Sequence, residues 1–239
     1  MARQTIRRHG LFGGVLLAVV VAVIVAAAMH DRNGKGYSNF GHDRVTLSGE
    51  TASQSRNVGS FDRIRLRGGY ELELTAGQEQ GVTLSGDTAL LEITETRVED
   101  GELFIGPADN VAVRTYDDFE LRITLPALRG LTVEGAVDGT LAALDSERIE
   151  IVVNGSAQIS VDGLCGLLEI QTNGTGSIDA KSLECRTVRI EMNGAGSASV
   201  YAFEFAEIEI NGVGNVDLYG NPPDMRTRKS GLGNITVHD

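Results

Sequence analysis

The C-terminal half of the chain alternates apolar and polar residues in short segments that are separated by turns of small residues. The turns are Glu134-Gly135, Asn154-Gly155, Asn173-Gly174, Asn193-Gly194, Asn211-Gly212 and Ser230-Gly231. Successive turns begin 20, 19, 20, 18 and 19 residues apart. A nearly fixed period of this length is typical of proteins that stack one structural unit on the next.

Apolar residues occupy equivalent positions in each repeat. The first, third and fifth residues before a turn are Val153, Ile151 and Ile149, then Thr172, Ile170 and Leu168, then Met192, Ile190 and Val188, then Ile210, Ile208 and Ala206. Apolar residues also lie five and seven places after the first turn residue, as in Ile159 and Val161. Alternation with a period of two places these side chains on one face of a strand. Each repeat is therefore predicted to be a strand, a glycine turn, a strand and a second turn.

Stacked strands of this kind predict an all-β fold, a right-handed parallel β-solenoid over residues 61–239 with rungs of about 19 residues. Neighbouring rungs would lie about 4.8 Å apart, so each inward position becomes a continuous apolar column. Asparagine tolerates turn conformations and can hydrogen-bond to its own copy in the next rung. Asn154, Asn173, Asn193 and Asn211 are accordingly predicted to form a structural ladder.

Residues 61–125 are rich in strand patterns but lack a clean repeat. The alternating segments include Ile64/Leu66, Tyr70/Leu72/Leu74, Leu91/Ile93 and Leu121/Ile123/Leu125. Because the open end of a solenoid needs a cover, we interpret residues 61–125 as irregular first rungs and a cap of the same domain.

The N-terminal segment predicts export from the cytoplasm. Residues 11–29 are apolar throughout, and as a helix they would span about 28 Å, close to the hydrocarbon core of a bilayer. The preceding residues 1–10 carry Arg3, Arg7 and Arg8, which predicts that they stay in the cytoplasm. Residues 30–60 have the composition of a flexible stalk. Residues 11–29 would be either a retained membrane anchor or a cleaved signal, with the domain in the periplasm, outside the cell, or secreted.

Several segments resemble one known family, the auto-transporter adhesin head GIN domain family. They are Phe61-Asp-Arg-Ile-Arg-Leu, Gly101-Glu-Leu-Phe-Ile, Leu121-Arg-Ile-Thr-Leu-Pro126, Val216-Asp-Leu-Tyr-Gly-Asn and Ser230-Gly-Leu-Gly-Asn-Ile235, together with the Gly-x-Gly turns. The resemblance covers about residues 58–239, and its motifs are structural rather than catalytic. It implies a bacterial envelope protein with an adhesive role. The turn Glu134-Gly135 departs from the family's Asn-Gly pattern.

The charge and composition of the chain argue against some classes of binding partner. The net charge of −12 disfavours binding to the phosphate backbone of nucleic acids. The chain has no tryptophan, and its low aromatic content counts against sugar stacking. We therefore expect an adhesive or binding protein whose partner is an envelope protein or a polymer such as a polysaccharide. A carbohydrate-active enzyme, a polysaccharide lyase or glycosidase on a solenoid scaffold, is the alternative.

The two cysteines occupy the same position in adjacent repeats. Cys165 and Cys185 each lie eight residues before a turn asparagine. In-register stacking would place their Cα atoms about 5 Å apart, within the range of a disulfide. The sequence leaves two main alternatives, a disulfide bond or two reduced buried thiols, and a metal or redox role as a minor one that no CxxC motif or nearby histidine pair supports.

The candidate binding residues lie on the outward positions of the strands. We name as the charged face the six residues two and four places before three successive turns. They are Glu169, Gln171, Arg189, Glu191, Glu207 and Glu209. They would form a groove for an extended polymer, or else merely a solvated surface. A second polar face contains Ser160, Asp179, Ser199, Asp217 and Thr236.

No catalytic motif is recognisable along the chain. It has no Ser/His/Asp arrangement, no zinc-ligand spacing and no phosphate-binding loop before a helix. We therefore predict no catalytic residues, no cofactor and no metal. Calcium at Asp179 or Asp217 is a minor alternative, because the Gly-x-Gly-x-Asp segments resemble calcium-binding repeats whose period is shorter.

Overall fold

The computed structural model describes residues 43–44, 46–108, 111–112 and 119–238. The strands are β1 Asp43–Arg44, β2 Thr51–Ser55, β3 Arg63–Leu66, β4 Gly69–Ala76, β5 Gly81–Asp87, β6 Thr94–Glu99, β7 Glu102–Pro107, β8 Val111–Ala112, β9 Glu120–Leu125, β10 Gly130–Val133, β11 Ala136–Val153, β12 Ser156–Thr172, β13 Thr175–Met192, β14 Ala195–Ile210, β15 Val213–Tyr219, β16 Asp224–Lys229 and β17 Leu232–Val237. One short helix, α1, spans Thr88–Ile93. β1 pairs with β8, and the other strands form one continuous sheet.

The strands β11 to β14 form a parallel β-solenoid. Each pairs with the next in parallel, as where Ile151 of β11 lies opposite Ile170 of β12. The sequence pattern predicts a second turn in each repeat, but the strand instead runs on to the next glycine turn and bends at a bulge. In β11 the bulge lies between Leu141 and Leu144, where the register with β12 shifts. A bulge bends a strand while the residues on either side stay paired. The handedness of the coil stays a prediction.

The solenoid continues into the irregular N-terminal part. β10 pairs in parallel with β11 and β3, and β3 pairs with β7. On the other side of the turns, β4 pairs in parallel with β11 and β9. The end of the stack changes to antiparallel pairing, with β6 on β7, β5 on β9 and β2 on β5. The irregular alternation of residues 61–125 therefore reflects a mixture of parallel rungs and antiparallel strands.

Two predictions for this region need correction. Leu91 and Ile93, predicted to lie on a strand, belong to α1. The adjacent Leu90 and Leu91 are both buried, which alternation on a strand does not allow, and the Asp87 side chain caps the helix by accepting a hydrogen bond of 2.9 Å from Ala89 N. Residues Thr51–Ser55 fall within the predicted flexible stalk, yet they form β2 and pair with β5.

The core consists of apolar columns that run along the stack. The column three places before the turns has aliphatic side chains on seven successive strands, and all of them are buried: Leu103, Ile64, Leu131, Ile151, Ile170, Ile190 and Ile208. Burying each such side chain contributes roughly 1.5–3 kcal/mol. The column one place before the turns is also buried, and it includes one polar residue, Thr172.

The glycine turns bring successive rungs into backbone contact. A Cβ atom added at Gly174 would lie 2.0 Å from the carbonyl oxygen of Gly155, and one added at Gly194 would lie 1.8 Å from that of Gly174. Any larger residue would separate the rungs, so the second turn position requires glycine. At each turn the strand hydrogen bonds continue, since Thr175 N donates to Gly155 O at 2.9 Å.

The two cysteines meet across adjacent rungs. Cys165 of β12 lies opposite Cys185 of β13, and the structure joins them in a disulfide with Cα atoms 4.5 Å apart. Both residues are buried. The bond closes a loop with a sequence separation of 20 residues and so ties one rung to the next.

The predicted basic segment 1–10, the apolar segment 11–29 and the first part of the predicted stalk lie outside the described residues. Within the described part of the chain, no helix has both the length and the apolar character needed to cross a membrane.

We expect the disulfide to stabilise the domain. Replacing both cysteines in C165A/C185A should lower the free energy of unfolding by about 3 kcal/mol, because the unfolded chain loses its cross-link. Urea denaturation of the two proteins measures the difference. A reductant should destabilise the unmodified protein and leave the double variant unchanged, whereas equal midpoints in all samples would contradict the prediction.

Candidate functional site

The structure brings all six residues of the charged face together on one surface. Across β12, β13 and β14, Glu169 lies opposite Arg189 and Arg189 opposite Glu207. Gln171, Glu191 and Glu209 form the adjacent column. The residues between these columns, including Ile190, are buried in the core. Strand alternation therefore holds two polar columns side by side on a rigid apolar base.

Ion pairs connect the first column along the stack. Arg189 lies between two carboxylates, with its Nη1 3.5 Å from Glu169 Oε1 and its Nε 3.6 Å from Glu207 Oε2. Arg148 forms a second ion pair with Glu169, whose side chain is only 24% exposed. Arg148 was not among the predicted residues, because it lies six places before its turn, outside both columns. Arg148 lies two residues before Glu150, which is opposite Glu169 on the next strand. A positive charge at this diagonal position is the sequence signal that could have predicted the ion pair.

The second column is connected to the asparagine ladder. Asn193 Nδ2 donates to Glu191 Oε1 at 2.9 Å, and Asn211 Nδ2 donates to Glu209 Oε1 at 3.1 Å. These hydrogen bonds run along one strand, from a turn residue to the carboxylate two places earlier. They hold the two carboxylates beside the turns, at one edge of the charged face.

A shallow groove of about 280 Å³ lies over this surface. Its lining includes the six predicted residues together with Arg148 and Glu150. Its five glutamates outnumber its two arginines, so the groove as a whole is acidic. Such a surface can accept hydrogen bonds from hydroxyl, amide or ammonium groups, and each contact would be weak because water screens charges in an open groove.

The groove continues toward the N-terminal end of the solenoid. A larger cavity of about 730 Å³ shares Arg148 and Glu150 with it. This cavity also contains Arg63, Arg129 and Asp62, and Arg129 Nε lies 3.4 Å from Asp62 Oδ2. An extended ligand could therefore contact more rungs than the three that carry the predicted residues.

The asparagine ladder has a direction. Each side-chain amide donates to the residue one rung nearer the N-terminus, with distances of 2.9 Å from Asn173 to Asn154, 3.0 Å from Asn193 to Asn173 and 3.0 Å from Asn211 to Asn193. Ser230 begins the series by donating to Asn211 at 2.7 Å. Asn154 ends it, because the next rung has Glu134, which pairs with Arg65 at 2.9 Å.

The second polar face alternates hydroxyl and carboxylate side chains. Ser160, Asp179, Ser199 and Asp217 occupy successive strands of one column, and Thr236 follows on β17. Lys181 Nζ donates to Asp179 at 3.0 Å, and this hydrogen bond raises the pKa of Lys181. Asp217 lies 2.7 Å from His238. Within the described ranges, no group of three or more His, Cys, Asp or Glu side chains is arranged to hold a metal ion.

Two exposed apolar residues near the strand bends were not predicted from the sequence. Leu164 is 55% exposed and Phe203 is 44% exposed. Both line a cavity of about 530 Å³ that also contains Cys165 and Arg186. These residues lie on the stretches where the strands bend, and the irregular register there conceals them from a search for repeated columns.

Comparison with known proteins identifies relatives of the chain. A family model described as "Putative auto-transporter adhesin, head GIN domain" matches residues 60–222. No protein among the curated sequences matches the chain.

Two crystal structures have a similar fold. A "putative adhesin" from Bacteroides fragilis is 19% identical, with a TM-score of 0.63, and the match covers 82% of this chain and 100% of that protein. A "putative lipid binding protein" from Parabacteroides distasonis is 17% identical, with a TM-score of 0.53, and the match covers 81% and 99% of the two chains. At these identities the likeness concerns the fold alone.

The direction of the asparagine ladder predicts unequal effects of two identical substitutions. Asn173→Asp removes the amide that donates to Asn154 and places a carboxylate against its oxygen, so we expect a loss of about 1–3 kcal/mol in the free energy of unfolding. Asn154→Asp retains the acceptor that Asn173 uses and should cost about 1 kcal/mol or less. Urea denaturation measures both values, and equal losses would show that the ladder has no such direction.

Proposed function

The chain belongs to the auto-transporter adhesin head GIN domain family, and from this premise we propose that it is a non-catalytic binding protein of the bacterial cell envelope. Its binding surface is the charged face, and its partner is an extended polymer, such as a polysaccharide, or an envelope protein. The family model and the solenoid fold support an adhesive role, while the choice of surface rests on the geometry of the groove.

The repetition of groups along the charged face is the observation that carries this proposal. Glu169, Arg189 and Glu207 stand in one column on adjacent strands, about 4.8 Å apart. A ligand that lies along the stack meets a charged group at each rung, with the sign alternating from one rung to the next, so weak contacts add up over its length. The acidic excess in the groove favours a partner that presents hydroxyl, amide or positively charged groups.

We place the domain outside the cytoplasm, held to the membrane by residues 11–29 or released if that segment is cleaved. The basic residues Arg3, Arg7 and Arg8 precede the apolar segment and favour export of everything after it. The bond between Cys165 and Cys185 is consistent with this location, because disulfides persist in oxidising compartments.

Protease protection tests the location. In intact spheroplasts that express the full chain, added protease should digest the domain and leave a cytoplasmic control protein intact. The fragment pattern should be compared with that from lysed cells. Full protection of the domain in intact spheroplasts, with digestion after lysis, would place it in the cytoplasm and exclude the proposed function.

A triple substitution tests the binding surface. In E169A/R189A/E207A the first column of the charged face loses its three charged groups while the core columns stay unchanged. Binding to a partner found by screening purified envelope glycans and proteins should therefore weaken at least about tenfold. Circular dichroism and urea denaturation check that the variant is folded. The matched control is S160A/S199A/T236A on the second polar face, which should bind as the unchanged protein does.

The outcomes separate the competing interpretations. If E169A/R189A/E207A binds normally and the control variant fails, the second polar face is the binding surface. If both bind normally, the charged face is only a solvated surface. Analysis of the glycans after incubation distinguishes binding from turnover, and the appearance of shorter products would establish the carbohydrate-active alternative. Lipid vesicles in the same screen test whether this chain binds lipid, the role that the name of the Parabacteroides protein gives to that protein.

A further inference from the structure

Four Asn-Gly pairs occupy equivalent turns of successive rungs, so each serves as a comparison for the others. The pairs begin at Asn154, Asn173, Asn193 and Asn211. In an Asn-Gly pair, the glycine has no side chain to keep its backbone nitrogen away from the asparagine side chain. That nitrogen can attack the amide carbon, which makes the pair a potential site of spontaneous modification.

The turn geometry protects most of these pairs. At Asn173 the attacking nitrogen, Gly174 N, donates to Val153 O at 3.1 Å, and the leaving amide donates to Asn154 at 2.9 Å. The pairs that begin at Asn193 and Asn211 have the same two hydrogen bonds, and their glycine nitrogens donate at 2.9 Å. Both hydrogen bonds must break before the ring can close.

Asn154 lacks one of these protections. Its amide nitrogen makes no hydrogen bond to any residue in the described part of the chain, and Glu134, its neighbour in the next rung, pairs with Arg65. Gly155 N does donate to Val133 O, at 3.2 Å, as the glycine nitrogens of the other pairs do to their own acceptors. The end of the ladder therefore leaves the leaving amide of Asn154 less restrained than the amides at the other three Asn-Gly turns.

We propose that, of the four Asn-Gly turns of the solenoid, Asn154-Gly155 is the one that deamidates first in the folded protein. Gly155 N forms a bond to Asn154 Cγ, and the bond from Cγ to Nδ2 breaks. Nδ2 leaves as ammonia after it takes up the proton of the Gly155 N–H through water. A water molecule then opens the succinimide at either carbonyl and yields aspartate or isoaspartate, with no change in oxidation state.

The two products have different consequences for the stack. Aspartate keeps an oxygen that Asn173 Nδ2 can use, so the ladder is retained and the turn gains one negative charge. Isoaspartate adds one carbon to the backbone at the turn. Because Gly155 lies against the backbone of Gly135, this extra length would disturb the contact between the two rungs.

The rates at the four sites test the proposal. The full chain in detergent is incubated at 37 °C and mildly alkaline pH, and peptide mapping by mass spectrometry follows each pair. One missing hydrogen bond changes the population of the open turn by roughly tenfold, so Asn154 should be modified about tenfold faster than Asn173, Asn193 or Asn211. In concentrated urea the four rates should converge, because the differences come from the fold.

Glu134→Asn provides a variant that should move the site. It replaces a carboxylate that pairs with Arg65 by the same amide side chain that accepts elsewhere in the ladder. The rate at Asn154 should therefore fall to that of the protected pairs, and position 134 should become the fast site. Circular dichroism checks the fold, and if the variant does not fold, the comparison of native and urea-treated protein decides alone. Equal native rates at the four sites would overturn the proposal, as would an unchanged rate at Asn154 in the folded variant.

Discussion

The close parallel stacking of rungs at the glycine turns is the constraint on which the rest of the structure depends. Gly174 approaches the backbone of Gly155 so closely that a single Cβ atom would lie 2.0 Å from its carbonyl oxygen. This contact sets the register between neighbouring strands. Once the register is set, each inward position meets its equivalent in the next rung, and the apolar columns, the asparagine ladder and the disulfide follow from it.

The same register produces the candidate binding surface. Charged side chains stack as regularly as the buried ones, and Arg189 lies between Glu169 and Glu207 because its strand lies between theirs. Neighbouring like charges would repel, so alternation of sign is favourable in such a column. The surface is therefore both a structural element and a repeated pattern of polar groups, which suits an extended partner better than a small molecule in an enclosed pocket.

The ends of a repeating structure differ chemically from its middle. In the ladder, Asn173 and Asn193 both donate and accept, whereas Asn154 only accepts within the ladder and Ser230 only donates. At the N-terminal end of the domain, the parallel rungs give way to antiparallel strands and α1, whose Leu90 and Leu91 are buried. Sensitivity to substitution and chemical change is thus expected to depend on the position of a rung in the stack.

The sequence alone determined the class of fold, the positions of the turns and the inward columns, because a period of about 19 residues and a strand alternation of two are both visible in the order of residues. It also placed Cys165 and Cys185 in one column and grouped the six residues of the charged face. Only the tertiary structure decided how each strand passes its bulge, how α1 buries Leu90 and Leu91, and that Arg148 reaches Glu169. These features depend on contacts between residues that share no repeated position, and such contacts arise only when the chain is folded.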